Sequence, residues 1–370
     1  MRLTIDVTAR LGRAQRAVAD AGITALLLSP GPDLRYLTGY QAIPLERLTC
    51  LVVPAIGAPR IVVPFLEKRS ALDSPVSAAG IEVLTWREEE DPYALVASLL
   101  PAHGTVALSD RMWAAQAIAL RNALPGHEQR PASPVLGTLR ACKGADEVAA
   151  LREAGAAIDV VHGRMADWLG VGRTEREIAA DISCAMLRAG HATVDFVIVA
   201  SGPNSADPHH GAGDRVVQGG DLIVVDIGGT MPSGYCSDST RTYVIGEPSG
   251  HVTTFYAVLQ SAQEAACAAV AEGVAAETVD AAARDIISAA GFGEYFIHRT
   301  GHGIGLETHE EPYIAAGDSR SLAAGMAFSI EPGIYFPGRC GARLEDIVVC
   351  TEHGAERLNL SPHGLAVLNG

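Results

Sequence analysis

The sequence predicts two domains, an α/β domain over residues 1–135 and an α+β domain over residues 144–370 that is built by internal duplication. Three observations predict this organisation. Strand and helix patterns alternate in the first third of the chain, and Pro, Ser and Gly cluster between Pro131 and Gly144. Two related segments of helix, strand and acidic hairpin then follow each other. A length of 370 residues is enough for two domains that each bury a core.

The first domain alternates strand and helix patterns. Residues 1–22 are typical of an amphipathic helix and lack the apolar stretch of a signal peptide. Apolar runs predict five strands and helical periodicity predicts two helices, namely Ile23–Ser29, Leu48–Pro54, Arg60–Val63, Ile81–Trp86 and Thr105–Ser109 as strands, and Asp91–Leu100 and Arg111–Leu124 as helices. This domain collects no catalytic residue types at a usable spacing.

The second domain begins with a predicted helix from Ala145 to about residue 169, and a duplication follows it. Gly172–Gly190 matches Gly273–Gly291 at a shift of 101 residues, and both segments predict a helix that ends at a glycine. A strand is expected after each helix, at Phe196–Ala200 and Tyr295–His298. Each strand leads to a histidine-bearing loop and then to a hairpin, so the two copies are expected to face each other across a pseudo-twofold axis.

Each predicted hairpin carries two acidic residues in a mostly apolar setting. Asp226 and Asp238 flank a turn centred on Pro232. At a shift of 105 residues, Glu331 takes the place of Asp226, and Glu345 follows across Gly338. Directly opposed residues of a hairpin share a face about 5 Å apart. The acids could be solvated side chains at strand ends, but the repetition of the pair favours a single four-carboxylate site.

Four acids gathered in one site require compensating positive charge, because like charges repel and a buried carboxylate is costly. His302 lies among three glycines in residues 300–306, and glycine lets the backbone approach a fixed target closely. One imidazole and four carboxylates suit two divalent ions, Mn²⁺ or Co²⁺, with Zn²⁺ as a further candidate. Four negative ligands then balance two doubly charged ions.

These residues carry a resemblance to a known family. In order and context, five of them resemble the metal ligands of prolidase and aminopeptidase P, the "pita-bread" metallopeptidases of family M24 that cut Xaa-Pro bonds: Asp226, Asp238, His302, Glu331 and Glu345. The segments GHGIGLETHEEPYI, SIEPGIY and SDSTRT are similar to the most specific segments of that family, and LLLSPGPDLRYLTGY resembles part of its N-terminal domain. The resemblance implies a creatinase/prolidase-type N-terminal domain followed by a pita-bread catalytic domain.

The resemblance also implies roles for further side chains. His209 is similar to the histidine that contacts the scissile bond and assists proton transfer, and His309 is similar to a second histidine that binds substrate. His298 resembles a third, found in peptidases that act on Xaa-Pro bonds, and Arg343 resembles an arginine that steadies the site. Glu331 is expected to act both as a metal ligand and as a proton acceptor. His162, His210 and His251 are expected to be ordinary packed or polar residues.

The expected activity is that of an Xaa-Pro dipeptidase acting on proline-containing dipeptides. The resemblance leaves aminopeptidase P, which acts on longer peptides, as the alternative. Methionine aminopeptidase, a metal-free creatinase-like hydrolase and a non-catalytic binding module are less favoured, because the N-terminal domain, the SDSTRT segment and five competent ligand positions argue against them. The family also implies a homodimer.

Composition excludes several partner classes and indicates a compartment. The net charge of −15 argues against nucleic acid, because phosphate binding requires clustered Lys and Arg. No run approaches the roughly 18 apolar residues of a membrane span. Seven cysteines are scattered without paired spacing, which predicts reduced thiols in the cytoplasm.

Overall fold

The computed structural model describes residues 6–369 and divides into two compact units between Arg140 and Ala141. The elements up to Ala141 are α1 (Val7–Asp20), β1 (Ala25–Leu28), α2 (Pro32–Thr38), β2 (Cys50–Pro54), β3 (Arg60–Pro64), α3 (Lys68–Leu72), α4 (Pro75–Ala78), β4 (Glu82–Trp86), α5 (Pro92–Ser98), β5 (Gly104–Leu108), α6 (Ala114–Ala123), β6 (His127–Pro131) and α7 (Ser133–Ala141). Six strands form one mixed sheet in the order β4-β3-β2-β1-β5-β6.

The first unit is an α/β domain, as predicted, and its five predicted strands and two predicted helices are confirmed. The predicted N-terminal helix is present as α1, and residues 1–5 lie outside the described part of the chain. Five elements were not predicted: the short helices α3 and α4, together with β6, α2 and α7. Strand β6 is a polar strand at the sheet edge, so it lacks an apolar run. Helix α2 is only seven residues long and begins with Pro32, so its sequence was not distinguished from that of a turn. Helix α7 occupies the segment where a break was expected.

The second unit carries the remaining elements: α8 (Ala145–His162), α9 (Glu175–Arg188), β7 (Thr193–Ser201), β8 (Leu222–Thr230), β9 (Cys236–Ile245), α10 (Gly250–Ala269), α11 (Ala276–Ala289), β10 (Gly301–Gly303), β11 (Glu310–Ile314), β12 (Ala327–Ile330), β13 (Gly333–Phe336), β14 (Cys340–Arg343), β15 (Asp346–Thr351), β16 (Gly354–Arg357) and β17 (Ala366–Leu368). Its sheets have the orders β17-β9-β8-β7, β11-β10-β12-β15-β16 and β13-β14. One apolar core joins α8 and α9 to the first sheet, and another joins α10 and α11 to the other two.

The backbone of the second unit contains the predicted duplication. Helices α9 and α11 begin and end at positions that differ by 101 residues. Gly220 and Gly325 precede β8 and β12 at φ angles of 87° and 86°, a region that favours glycine. The isolated bridge from Thr174 to Val216 has its counterpart between Ala275 and Ser321.

Two predictions of secondary structure in this unit were wrong. Helix α8 ends at His162, because the chain turns at Gly163 instead of continuing to residue 169. No strand forms at Tyr295–His298. The strand that precedes β12 and pairs with it is β10, so His302 lies in a strand and not in a loop. Close packing explains why glycine flanks His302: a Cβ on Gly301 would lie 1.8 Å from the Ser329 carbonyl oxygen.

Two further expectations concern the chain as a whole. All seven cysteines lie within residues 6–369 and are free thiols, as predicted. Among the described residues, no helix combines the length and apolar character that crossing a membrane requires.

Candidate metal centre

Strands β8 and β9 place Asp226 and Asp238 on one face of their hairpin. Asp226 pairs with Thr240, and Asp238 pairs with Gly228, so the two acids are diagonal neighbours. The prediction that they are directly opposed was therefore wrong, because Asp238 lies two residues from the position opposite Asp226. The turn causes the difference, because Thr230 pairs with Cys236 and the loop between them holds five residues. A shift of two residues keeps both side chains on the same face.

The second hairpin brings Glu331 opposite Glu345, as predicted. The pairs on either side of them, Ile330 with Asp346 and Gly333 with Arg343, share one register. Glu331 and Glu345 lie level with each other in the gap between these two ladders.

The two hairpins and strand β10 bring all five predicted ligands together. The ligand atoms of Asp238, His302 and Glu345 lie within 4.8 Å of one another. Nε2 of His302 lies 3.2 Å from a carboxylate oxygen of Glu331 and 3.7 Å from one of Asp238. Asp226 Oδ2 accepts a hydrogen bond of 2.5 Å from Arg343, while its Oδ1 is buried without a hydrogen-bond partner among residues 6–369. The arrangement is an oxygen-rich cluster with a carboxylate oxygen still to be satisfied.

Burial makes this cluster electrostatically unfavourable by itself. Burial raises the pKa of Asp238 and of Glu345 well above the ordinary values, and the neighbouring acids raise them further. Burial also raises the pKa of Asp226, although the charge of Arg343 opposes the shift. For Glu331, burial acts in the same direction, but hydrogen bonding and charge from His302 outweigh it and lower the pKa to about 2. Divalent cations would supply the missing positive charge, and the donor atoms fit them.

A cavity of about 900 Å³ opens onto the five residues. His209, His298, His309 and Arg343 also line it, as do the apolar side chains Phe196, Ile198 and Ile297. All four further predicted site residues therefore lie around the same space. The cavity combines a polar, acidic floor with an apolar wall, as a site for a small organic substrate does.

The predicted histidines of the cavity differ in their surroundings. His309 meets the edge of His302 with ring centroids 4.0 Å apart, and burial, together with the charge of His302, lowers its pKa to about 4. His298 has Nδ1 2.7 Å from the Arg299 carbonyl and Nε2 3.0 Å from the Tyr335 hydroxyl, and burial lowers its pKa. His209 is exposed at the cavity. His309 is consequently neutral at pH 7 and keeps one N–H to donate.

The three histidines that were expected to be ordinary packed or polar residues have structural surroundings, as predicted. His162 is buried against the Tyr243 hydroxyl and the Ser239 carbonyl. His210 bonds to Glu175 at 2.8 Å, and His251 packs on the rings of Phe255 and Phe336.

Two hydroxyl groups that contact the site residues were not predicted from the sequence. Thr240 donates to Glu345 at 2.7 Å and accepts from Nε of Arg343 at 3.1 Å. The Tyr335 hydroxyl accepts from Arg343 at 2.8 Å and lies next to His298. Thr240 follows Asp238 by two residues in a strand, a spacing that places both side chains on one face. This two-residue spacing is the sequence signal from which Thr240 could have been predicted.

Comparison with known proteins agrees with this geometry. Residues 149–352 match the model of metallopeptidase family M24, and residues 10–142 match that of the creatinase/prolidase N-terminal domain. The chain belongs to metallopeptidase family M24. It is thus a peptidase with the pita-bread fold, and the M24 family implies a divalent metal, for which the clustered ligands Asp238, His302 and Glu345 are suited.

Individual relatives from the M24 family align with almost the whole chain. The probable dipeptidase PepE of Mycobacterium tuberculosis is 54% identical over 360 residues, which cover 97% of this chain and 96% of the relative. An Xaa-Pro dipeptidase of Lactobacillus helveticus is 36% identical over 366 residues, 97% of this chain and 98% of the relative. The crystal structure of dipeptidase PepE from Mycobacterium ulcerans matches with a TM-score of 0.96 and 54% identity over 100% of both chains. That of a prolidase from Thermococcus sibiricus matches with a TM-score of 0.92 and 38% identity, covering 99% of this chain and 100% of the other.

Neutralising one acid of the M24 site should have opposite effects with and without metal. In protein treated with EDTA at pH 7, Asp238→Asn removes a repelled charge, so its Tm should rise by about 2–4 °C, equivalent to about 1 kcal/mol. With saturating Mn²⁺ the variant would lack one of the carboxylates that could hold the cation, so wild type should be the more stable protein. Thermal unfolding in both buffers measures the crossover.

The pH dependence follows from the raised pKa of Asp238. Below the unfolded-state value of about 4, the carboxyl group is protonated in both states, so the advantage of asparagine in EDTA should vanish there. The exposed Glu352, replaced by Gln, is the control for a change of net charge. A lower Tm for Asp238→Asn in EDTA at pH 7 would contradict the electrostatic description.

Proposed function

We propose that this chain is an Xaa-Pro dipeptidase, which hydrolyses the bond between an N-terminal residue and proline in a dipeptide. Two divalent ions, Mn²⁺ before Co²⁺ or Zn²⁺, would be held by Asp226, Asp238, His302, Glu331 and Glu345. The observation that carries the proposal is the convergence of four acids and one imidazole, with an unpartnered oxygen of Asp226 among residues 6–369, at the floor of a cavity. The Xaa-Pro dipeptidase of Lactobacillus helveticus and the prolidase of Thermococcus sibiricus support the selectivity for proline.

The metal ions would polarise the scissile carbonyl and make water more acidic. Glu331 would accept the proton of the attacking water, because its carboxylate would be ionised beside the bound cations. His309, neutral at pH 7, would donate its N–H to the negative charge that develops on the substrate oxygen. His209, exposed at the cavity, would assist proton transfer at the scissile bond.

Two further side chains would position the reacting groups. Arg343 is buried and donates to Asp226, Tyr335, Thr240 and the Pro208 carbonyl, which orients one acid of the site and supports the cavity wall. His298 would bind substrate with an orientation fixed by Tyr335 on one side and by the Arg299 carbonyl on the other.

The family resemblance also supports a homodimer, and the seven free cysteines support a reducing compartment, the cytoplasm. Net charge and fold give no support to nucleic acid as a partner.

A substrate panel tests the proposed selectivity. Protein reconstituted with Mn²⁺ should cleave Ala-Pro with a kcat/KM at least about tenfold above that for Ala-Pro-Ala or Ala-Ala, and EDTA should abolish cleavage of each, because the proposed chemistry requires bound metal. Faster cleavage of Ala-Pro-Ala would make the chain an aminopeptidase P, and preference for Met-Ala would make it a methionine aminopeptidase. Metal-independent turnover, or no turnover of either proline peptide, would refute the proposal.

Replacing His209 separates chemistry from metal binding. His209→Ala should keep the metal content of wild type and lower kcat for Ala-Pro by roughly 10²–10⁴-fold, the usual contribution of acid–base catalysis. Asp238→Ala and Glu345→Ala should lose both metal and turnover, since each removes a ligand. The exposed His353, replaced by Ala, is the matched control. Unchanged activity of His209→Ala would show that its assigned role is wrong.

A further inference from the structure

Glu175, the first residue of α9, is a fully buried carboxylate that none of the proposed catalytic steps uses. It accepts hydrogen bonds from both ends of the segment that carries His209: from Ser201 N at 2.8 Å, Ser201 Oγ at 2.7 Å, Asn204 Nδ2 at 3.0 Å, His210 Nε2 at 2.8 Å and Gly213 N at 3.2 Å. Burial acts to raise its pKa, but these hydrogen bonds outweigh burial and lower the pKa. An ionised carboxylate only accepts, so His210 carries its proton on Nε2.

The position of His209 depends on these bonds. His209 itself is exposed at the cavity. The residue after it, His210, is bound by Glu175, and the carbonyl of the residue before it, Pro208, accepts from Arg343 at 3.2 Å. The chain is thus held on both sides of the imidazole. A rigid support of this kind matters because a displacement of about 1 Å at a catalytic group can cost about 10²-fold in rate.

Asp280 on α11 holds the histidine-bearing segment of the second repeat by hydrogen bonds, as Glu175 does in the first. It is 1% exposed and accepts from the Thr300 amide at 3.0 Å and the Thr300 hydroxyl at 2.8 Å. It also binds Arg284 through two hydrogen bonds of 2.8 and 2.9 Å. Arg284 in turn donates to the carbonyl oxygens of Phe296 and His298, at 3.1 and 2.8 Å. The segment held in this way carries His298 and leads directly into β10.

The two carboxylates are not at equivalent positions of the repeat. At the shift of 101 residues, Glu175 corresponds to Ala276 and Asp280 corresponds to Ala179. Ala276 and Asp280 are four residues apart in α11, a spacing that places them on one face of the helix. Each repeat therefore has a buried acid on the same helical face, one turn apart, that binds the histidine-bearing segment of its own repeat.

We propose that Glu175 and Asp280 are positioning residues, one in each repeat, which set the places of His209 and His298 in the catalytic cavity. The assignment rests on the proposed function, because it takes the roles of these two histidines from it. Neither carboxylate lines the cavity, so both act through the segments that they hold.

Hydrogen–deuterium exchange of the holoenzyme tests the positioning without any substrate. Glu175→Gln puts an amide donor opposite the donors of its segment and should speed exchange in residues 201–213 only. Asp280→Asn should speed exchange in residues 296–303 only. The exposed acids Glu177 and Asp285, on the same two helices, give the matched controls Glu177→Gln and Asp285→Asn, which should change neither segment. Unchanged exchange in both held segments would overturn the proposal, even if the chain cleaved no proline peptide.

Kinetics on Ala-Pro test whether each acid acts through its histidine. Glu175→Gln should keep the metal content and lower kcat by about 10- to 100-fold. In a His209→Ala background the same change should lower kcat by less than about twofold, whereas a general loss of structure would lower it equally in both backgrounds and overturn the assignment. Asp280→Asn should instead raise KM by about tenfold. Should Glu175→Gln fail to fold, His210→Asn removes the hydrogen bond to Glu175 from the side of the segment. It must then lower kcat in the wild-type background and lower it by less than about twofold in the His209→Ala background.

Discussion

Repulsion among four carboxylates that face one another is the constraint around which the catalytic unit is built. At an effective dielectric constant of about 20, two like charges 4 Å apart repel by about 4 kcal/mol, and a whole domain is stable by only about 5–15 kcal/mol. Arg343 and His302 are the cationic or potentially cationic groups in direct contact with these acids among the residues that the structure describes. They are too few to balance four negative charges, so either protonation of the acids or a bound cation has to relieve the remaining charge, and membership of the M24 family implies the cation.

The fold imposes this proximity with elements that cannot easily relax. Asp226 and Asp238 lie on paired strands with a continuous ladder, and Glu331 and Glu345 lie between two ladders that share one register. His302 lies on a strand that packs closely against its neighbours at two glycines. Arg343 and Thr240 tie the first hairpin to the second through Asp226 and Glu345. A site held so firmly is already shaped for its ligands, which is what fast chemistry at a fixed centre requires.

Spacing in the sequence predicted much of the site, because a strand period of two and a turn midpoint determine which face a side chain occupies. It placed Asp226 and Asp238 on one face but missed their diagonal register, since five loop residues shifted the midpoint of the turn by one. The strand around His302 escaped prediction because its identity depends on partners distant in sequence. Glu175 and Asp280 were not predicted for a related reason: the backbone amides that they bind in the histidine-bearing segments lie 20 to 38 residues away, and neither acid aligns with an acid in the other repeat. Long-range hydrogen bonds leave no periodic signal.

Anomalous diffraction from crystals of the protein loaded with Mn²⁺ would show directly whether the four acids and the imidazole hold cations. We expect two anomalous peaks for each chain, both enclosed by the side chains of Asp226, Asp238, His302, Glu331 and Glu345. Their separation should be about 3.5–4 Å, the usual spacing of a two-metal hydrolase. A single peak at full occupancy, or peaks bound elsewhere while these five side chains remain without metal, would contradict this expectation.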